Sequence, residues 1–120
     1  MQKRLLGRSG IEVSAMGLGC WPIGGQFRMD GREDGYGQAN DPESIRALRR
    51  ALDLGITLFD TSDAYGTGHS ERLIGEAFKG RREEVAIVTK FGFTHDEAKR
   101  ELTGTNVTPA YIREACEASL

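Results

Sequence analysis

The chain is 120 residues long and sets 16 Lys and Arg against 18 Asp and Glu, a formal net charge of −2. That balance leaves no electrostatic footprint for nucleic acid or for an anionic membrane surface. Apolar runs such as Val85-Ala86-Ile87-Val88 fall far short of the roughly 20 residues of a membrane helix, and Lys3-Arg4 precedes no apolar leader.

Residues 3–13 read as two short extended pieces around Arg8-Ser9-Gly10, a tight hairpin. Ser14 to Gly19 is a short, Gly-rich apolar run that reads as a buried strand, and 24–41 reads as a long polar loop. The first helix is signalled by Asp41 as N-cap and Pro42 at the first helical position. Ile45, Leu48 and Leu52 share its apolar face, Arg46, Arg49 and Arg50 form a solvated face, and Gly55 closes it. Ile56 to Asp60 follows as a buried strand.

A second helix is predicted over Glu71–Lys79, ended by Gly80, and Val85 to Lys90 as a β-branched strand. Residues 94–107 read as another long loop. Thr108-Pro109 then opens a third helix carrying Ile112, Ala115 and Cys116. The order β-α-β-α-β-α, with strands apolar throughout, predicts a parallel sheet covered by helices, in a single domain with room for about three strand–helix units. Periodicity does not separate an open sheet from a barrel. Cys20 and Cys116 allow no disulfide framework; they read as buried small hydrophobes in a cytoplasmic chain with reduced thiols.

Ligands of parallel α/β folds gather beyond the carboxyl ends of the strands. The second predicted strand ends in Asp60 and runs into Thr61-Ser62-Asp63-Ala64-Tyr65-Gly66, and the third ends in Lys90. An acid, a phenol and an amine therefore arrive at one end of adjacent strands. An ammonium stabilises a neighbouring phenolate and makes the phenol a better acid, while a carboxylate fixes the ammonium and keeps it charged. Such a trio supplies a proton but no electrons, so a reduction needs a bound cofactor such as a nicotinamide. Plainer roles exist for each: Asp60 as a turn former, Tyr65 as a rim aromatic, Lys90 as a solvated strand end. His69 and His95 read as surface or capping residues, and the spacing of Asp60, Asp63 and His69 fits no metal-ligand pattern. The glycines of 17–25 and 66–68 match neither the dinucleotide nor the P-loop motif.

Four segments resemble the aldo/keto reductase family: LGRSGIEVSAMGLGCW at 6–21, ITLFDTSDAYG at 56–66, GHSERLIGEAF at 68–78 and VAIVTKFG at 85–92. The resemblance implies a (β/α)8 TIM barrel, α/β in class, whose amino-terminal hairpin closes the base. Residues 1–120 would be the amino-terminal part of one barrel domain, about three of its eight units. It implies transfer of hydride between NADPH, less often NADH, and the carbonyl of an aldehyde or ketone. Tyr65 would be the proton donor, tuned by Lys90 and Asp60. Cys20, Trp21, Gln26 and Asp60 would line the nicotinamide end of the cofactor pocket, in a pattern similar to the branch that includes potassium-channel beta subunits. That branch carries the alternative, a non-catalytic cofactor-sensing or partner-binding protein. The family's catalytic histidine follows the fourth strand, and neither His69 nor His95 matches its position. Part of a barrel exposes sheet edges, so self-association is a further expectation.

Overall fold

The structure, a computed structural model, describes residues 1–120. Strands β1 (Lys3–Leu5) and β2 (Glu12–Ser14) pair antiparallel as the expected amino-terminal hairpin. Gly7 and Gly10 take left-handed φ of 58° and 76° at its turn, where a β-carbon would be strained. The hairpin is tied to the main sheet at Ser14. Its amide donates to Thr57 Oγ1, and its own hydroxyl oxygen accepts the Thr57 amide, both at 2.8 Å.

The main sheet is parallel, in the order β3 (Gly17–Gly19), β6 (Leu58–Asp60), β7 (Ala86–Val88). The two apolar runs thus pair as predicted, but as three-residue strands, and only Phe59 is fully buried; all of β7 is half-buried. Helices α1 (Asp41–Asp53) and α2 (His69–Ala77) cover one face. Nine buried residues form the core there, with Phe59 and Phe78 in contact at 4.6 Å between ring centroids. Each fully buried Phe or Leu side chain removes enough apolar surface to contribute about 1.5–3 kcal/mol, which makes this cluster the main stabiliser of the chain.

Three local expectations are corrected. The N-cap of α1 is Asn40, whose Oδ1 accepts the Glu43 amide at 3.0 Å, so Asp41 becomes the first helical residue. Helix α2 begins two residues early, at His69, with Gly68 at φ of 87° as its N-cap and no side-chain cap. Arg49 is not simply solvated. Its Nε donates to the Ala77 carbonyl at 3.0 Å and its Nη2 to Glu76 at 3.4 Å, capping the end of α2. Gly55, with φ of 91°, closes α1 as expected.

Both predicted loops contain strands. Residues 24–41 include β4 (Phe27–Met29) and β5 (Arg32–Asp34), joined by Asp30-Gly31 with φ of 51° and 73°. Residues 93–105 form β8 (Phe93–Asp96) and β9 (Glu101–Thr105). The two hairpins join through parallel pairing of β4 with β9, giving a second sheet in the order β5-β4-β9-β8. Its apolar side packs Phe27 and Leu102 on Ala64, with Trp21 and Phe93 at the margin. Helix α3 (Pro109–Ala118) starts at the predicted Thr108 cap but buries only Ala115, leaving Cys116 exposed rather than buried. No helix is long and apolar enough to cross a membrane.

Candidate active site

The carboxyl end of the parallel sheet brings the predicted trio together, and the register explains how. Asp60 lies opposite Val88, and the ladder continues as Thr61 N–H to Val88 O at 2.7 Å and Asp63 N–H to Lys90 O at 3.2 Å. Strand side chains alternate, so Lys90, two residues past Val88, falls on the same face as Asp60. The Lys90 ammonium donates to Asp60 Oδ1 at 2.5 Å, to the Thr61 carbonyl at 2.8 Å and to the Tyr65 hydroxyl oxygen at 3.3 Å. Its three donors are all satisfied by this set.

Burial pulls the Lys90 pKa down, but the hydrogen bonds to Asp60 and Tyr65 and the charge of both outweigh it. The ammonium is held above the ordinary lysine value. The pair is roughly half exposed, 47% for Lys90 and 45% for Asp60, so its stability contribution is at most about 1 kcal/mol. Its significance lies in position: a cationic donor aimed at a phenol oxygen at the open end of a parallel sheet.

Tyr65 is fixed from below and from the side. Its amide donates to the Ser62 carbonyl at 3.2 Å, and its carbonyl accepts the Ser70 amide at 3.2 Å. Ser70 Oγ in turn donates to Cys20 O at 2.8 Å and accepts from Thr61 Oγ1 at 2.9 Å, a buried junction of β3, β6 and α2. The Trp21 ring lies parallel to the Tyr65 ring, with centroids 5.5 Å apart and planes 10° from each other. Tyr36, from the end of the β4–β5 hairpin, meets Trp21 edge-on at 5.3 Å. Neither Tyr36 nor the Thr61 carbonyl was marked by the sequence, because one is an aromatic in a polar run and the other is main chain.

The remaining predicted pocket residues divide. Trp21 and Asp60 stand at the open site. Cys20 does not: it is 1% exposed, its thiol turns to the Leu18 carbonyl, and burial first, then Asp60, pushes its pKa up to about 12. Its amide and carbonyl are also engaged, by Asp60 and Ser70. An inert core thiol is its structural role. The Gln26 amide is tied to Glu33 Oε2 at 2.8 Å, across the mouth of the β4–β5 hairpin. His69 begins α2 with Nε2 2.9 Å from Asp41 Oδ1, while His95 is exposed on β8. A cavity of about 530 Å³ lies elsewhere, between α2, β8 and α3, and none of the trio lines it.

Comparison with known proteins identifies the family. The Aldo/keto reductase family model matches residues 15–120. Aldo-keto reductase YhdN of Bacillus subtilis (strain 168) is 42% identical over 92 residues, 75% of this chain and 25% of that protein. Aldo-keto reductase AKR11C1 from Bacillus halodurans, in its holo form, superposes with a TM-score of 0.80 at 33% identity, over all of this chain and 35% of its own. An aldo-keto reductase from Klebsiella pneumoniae, in complex with NADPH, gives 0.64 at 28% identity, over 92% of this chain and 31% of its own. The chain therefore spans a quarter to about a third of the length of these relatives. The three parallel strands, the outer helices and the hairpin at the opposite end from Asp60 are the opening of a TIM barrel of this type, and the chain belongs to the aldo/keto reductase family.

Proposed function

We propose that this chain carries the proton-donating part of a carbonyl reductase, in which an aldehyde or ketone is reduced to an alcohol with NADPH. The observation that supports it is the Tyr65–Lys90–Asp60 contact at the open end of the parallel sheet. The trio supplies a proton and charge stabilisation but no electrons, so the donor set fits a site that works beside a hydride carrier. Trp21 and Asp60 would hold the nicotinamide end, since both stand at the mouth and Cys20 is closed off. NADPH, when bound, supplies the hydride that adds to the carbonyl carbon; NADH is the alternative carrier.

The chain's own part is the proton. As negative charge develops on the substrate oxygen, Tyr65 Oη gives up its proton to that oxygen, and the O–H bond of the phenol breaks as the alcohol O–H forms. Lys90, 3.3 Å away, stabilises the phenolate left behind. Asp60 keeps the ammonium in place, and the Thr61 carbonyl fixes its direction. Trp21 against Tyr65 shields one side of the phenol from water. The outer strands β3 and β7 each pair on one side only, and we assign those open edges to pairing with further strands of one barrel domain.

Tyr65→Phe in the protein that carries this chain tests the reading. Turnover of a carbonyl panel should fall about 10²- to 10⁴-fold, the usual contribution of a positioned acid. Binding of NADPH, followed by its fluorescence with NADH alongside, should be retained. Unchanged turnover in this variant overturns the assignment of Tyr65.

A further inference from the structure

Arg100 reaches the active-site wall from the far hairpin, and its placement is specific. It occupies the turn between β8 and β9 with a left-handed φ of 51°, uncommon for a residue with a β-carbon. The turn is pinned by its own main chain: Arg100 N–H donates to Glu97 O at 3.1 Å, and Arg28 N–H donates to Arg100 O at 2.7 Å. Arg100 Nη2 then donates to the Gly24 carbonyl at 2.6 Å, 76 residues away in sequence. Its Nε is buried without a partner. A buried donor left unpaired carries a cost, so the side chain is held there by what Nη2 gains and by shape.

The Gly24 carbonyl is the contact point between two backbones. A β-carbon on Gly24 would lie 2.8 Å from the Tyr65 carbonyl carbon and oxygen, and one on Gly66 would run into the Gly24 carbonyl. One on Gly66 would also lie 2.9 Å from Arg100 Nη2. Glycine at both positions is therefore required by the approach itself. Gly24 N–H closes the turn onto the Trp21 carbonyl at 3.0 Å, so the same turn presents the Trp21 ring to Tyr65. Pulling on the Gly24 carbonyl pulls on both walls of the phenol.

We propose that Arg100 is a positioning residue: through the Gly24 carbonyl it locks the Trp21–Gly25 turn onto Tyr65-Gly66 and so sets the phenol against Lys90. Arg100 touches none of the reacting atoms. Its effect on rate rests on the proton-donor reading of Tyr65, but its effect on the Trp21–Tyr65 stack does not. Only a donor at that place does the work, so an ammonium replaces it in part and an apolar chain of similar length does not.

The test uses the protein that carries this chain, labelled with 5-fluorotryptophan, with the Trp21 fluorine signal assigned by its loss in Trp21→Phe. Arg100→Met should move that signal by more than its linewidth and lower kcat about tenfold, the scale of a small misplacement of reacting groups. KM for NADPH should change less than kcat does. Arg100→Lys should bring the signal and the rate most of the way back. If Arg100→Met does not fold, Arg100→Gln, whose amide falls short of Gly24, takes its place with the same expected shift. An unmoved Trp21 signal, or a Lys variant no better than the apolar one, overturns the proposal. A shifted signal with Tyr65→Phe at full turnover leaves the lock standing and overturns only the role of Tyr65.

Discussion

The parallel sheet and the mixed sheet both meet at the Tyr65 loop, and they are held by different means. The parallel sheet rests on nine buried residues shared with α1 and α2, while the mixed sheet rests on three, Phe27, Ala64 and Leu102. The first contributes Asp60 and Lys90 from strand ends; the second contributes the packing on Ala64, the edge of Tyr36 and the Arg100 contact. The Asp60–Lys90 pair is thus held on the better-packed element, while Tyr65 stands in the loop where the two meet. Segments with few buried apolar contacts open at lower free energy, so displacement of the wall is expected to reach Tyr65 through the Gly24 contact before it reaches Asp60 and Lys90.

Removing the charge from the stronger element gives the largest expected effect. Lys90→Met leaves the phenolate without its ammonium, and kcat should fall about 10²- to 10⁴-fold with the fold intact. Asp60→Asn is milder and carries a signature in pH. The Lys90 pKa is raised by the Asp60 hydrogen bond and charge, so the active protonation state persists further into alkaline solution with Asp60 than without it. The basic limb of the kcat profile should therefore move to lower pH in Asp60→Asn. A limb that stays in place separates Asp60 from the titration of Lys90.

Stability separates the two regions next. Phe59 is wholly buried under α1 and α2, and Phe59→Ala should cost about 3–5 kcal/mol. Leu102 sits in the three-residue cluster, and Leu102→Ala should cost about 2 kcal/mol, at the low end for such a change. Amide hydrogen exchange distinguishes them. In Leu102→Ala the protection of β4 and β9 should drop while that of β6 and β7 stays; a uniform drop would make the two sheets one cooperative unit.

The same division decided what could be read in advance. Asp60 and Lys90 were legible because apolar runs ending in reactive side chains mark strand ends and parallel pairing sets their register, and Tyr65 because the loop after Asp60 opens at that same end. Strands β4, β5, β8 and β9 are only 3, 3, 4 and 5 residues long and mostly polar, so they carry no periodic signal. One cue was present: Asp30-Gly31 is a two-residue hairpin turn with both φ positive. The β8–β9 turn has no glycine or proline, and nothing local foretells that Arg100 reaches Gly24. Cys116 was misplaced because α3 buries only Ala115. Cys20 is buried, as its residue type alone suggested, and it is the pocket-lining role implied by the resemblance that its packing closes off.

Asp63 lies at the seam of the two regions, in the loop after β6 and within the field of His95 on β8. The residue is 6% exposed and its Oδ2 has no partner. Burial raises its pKa, Glu71 adds to the rise, and the Ser62 hydroxyl, His95 and the Ala64 amide oppose it. A carboxyl whose native pKa lies above its unfolded value binds more protons in the folded state. Its contribution to stability is complete below the unfolded value, about 3.9, and is lost as pH rises through the native value. Asp63→Asn removes that loss. The difference in Tm, variant minus parent, should therefore grow as pH rises from about 4 and level off once Asp63 is ionised in the folded state. Taking the difference cancels the opposite slope from carboxylates whose pKa values are lowered, such as Asp96 beside Lys99. A difference that stays flat with pH would show that the Asp63 charge is solvated, and that the seam between the sheets is wetter than its packing implies.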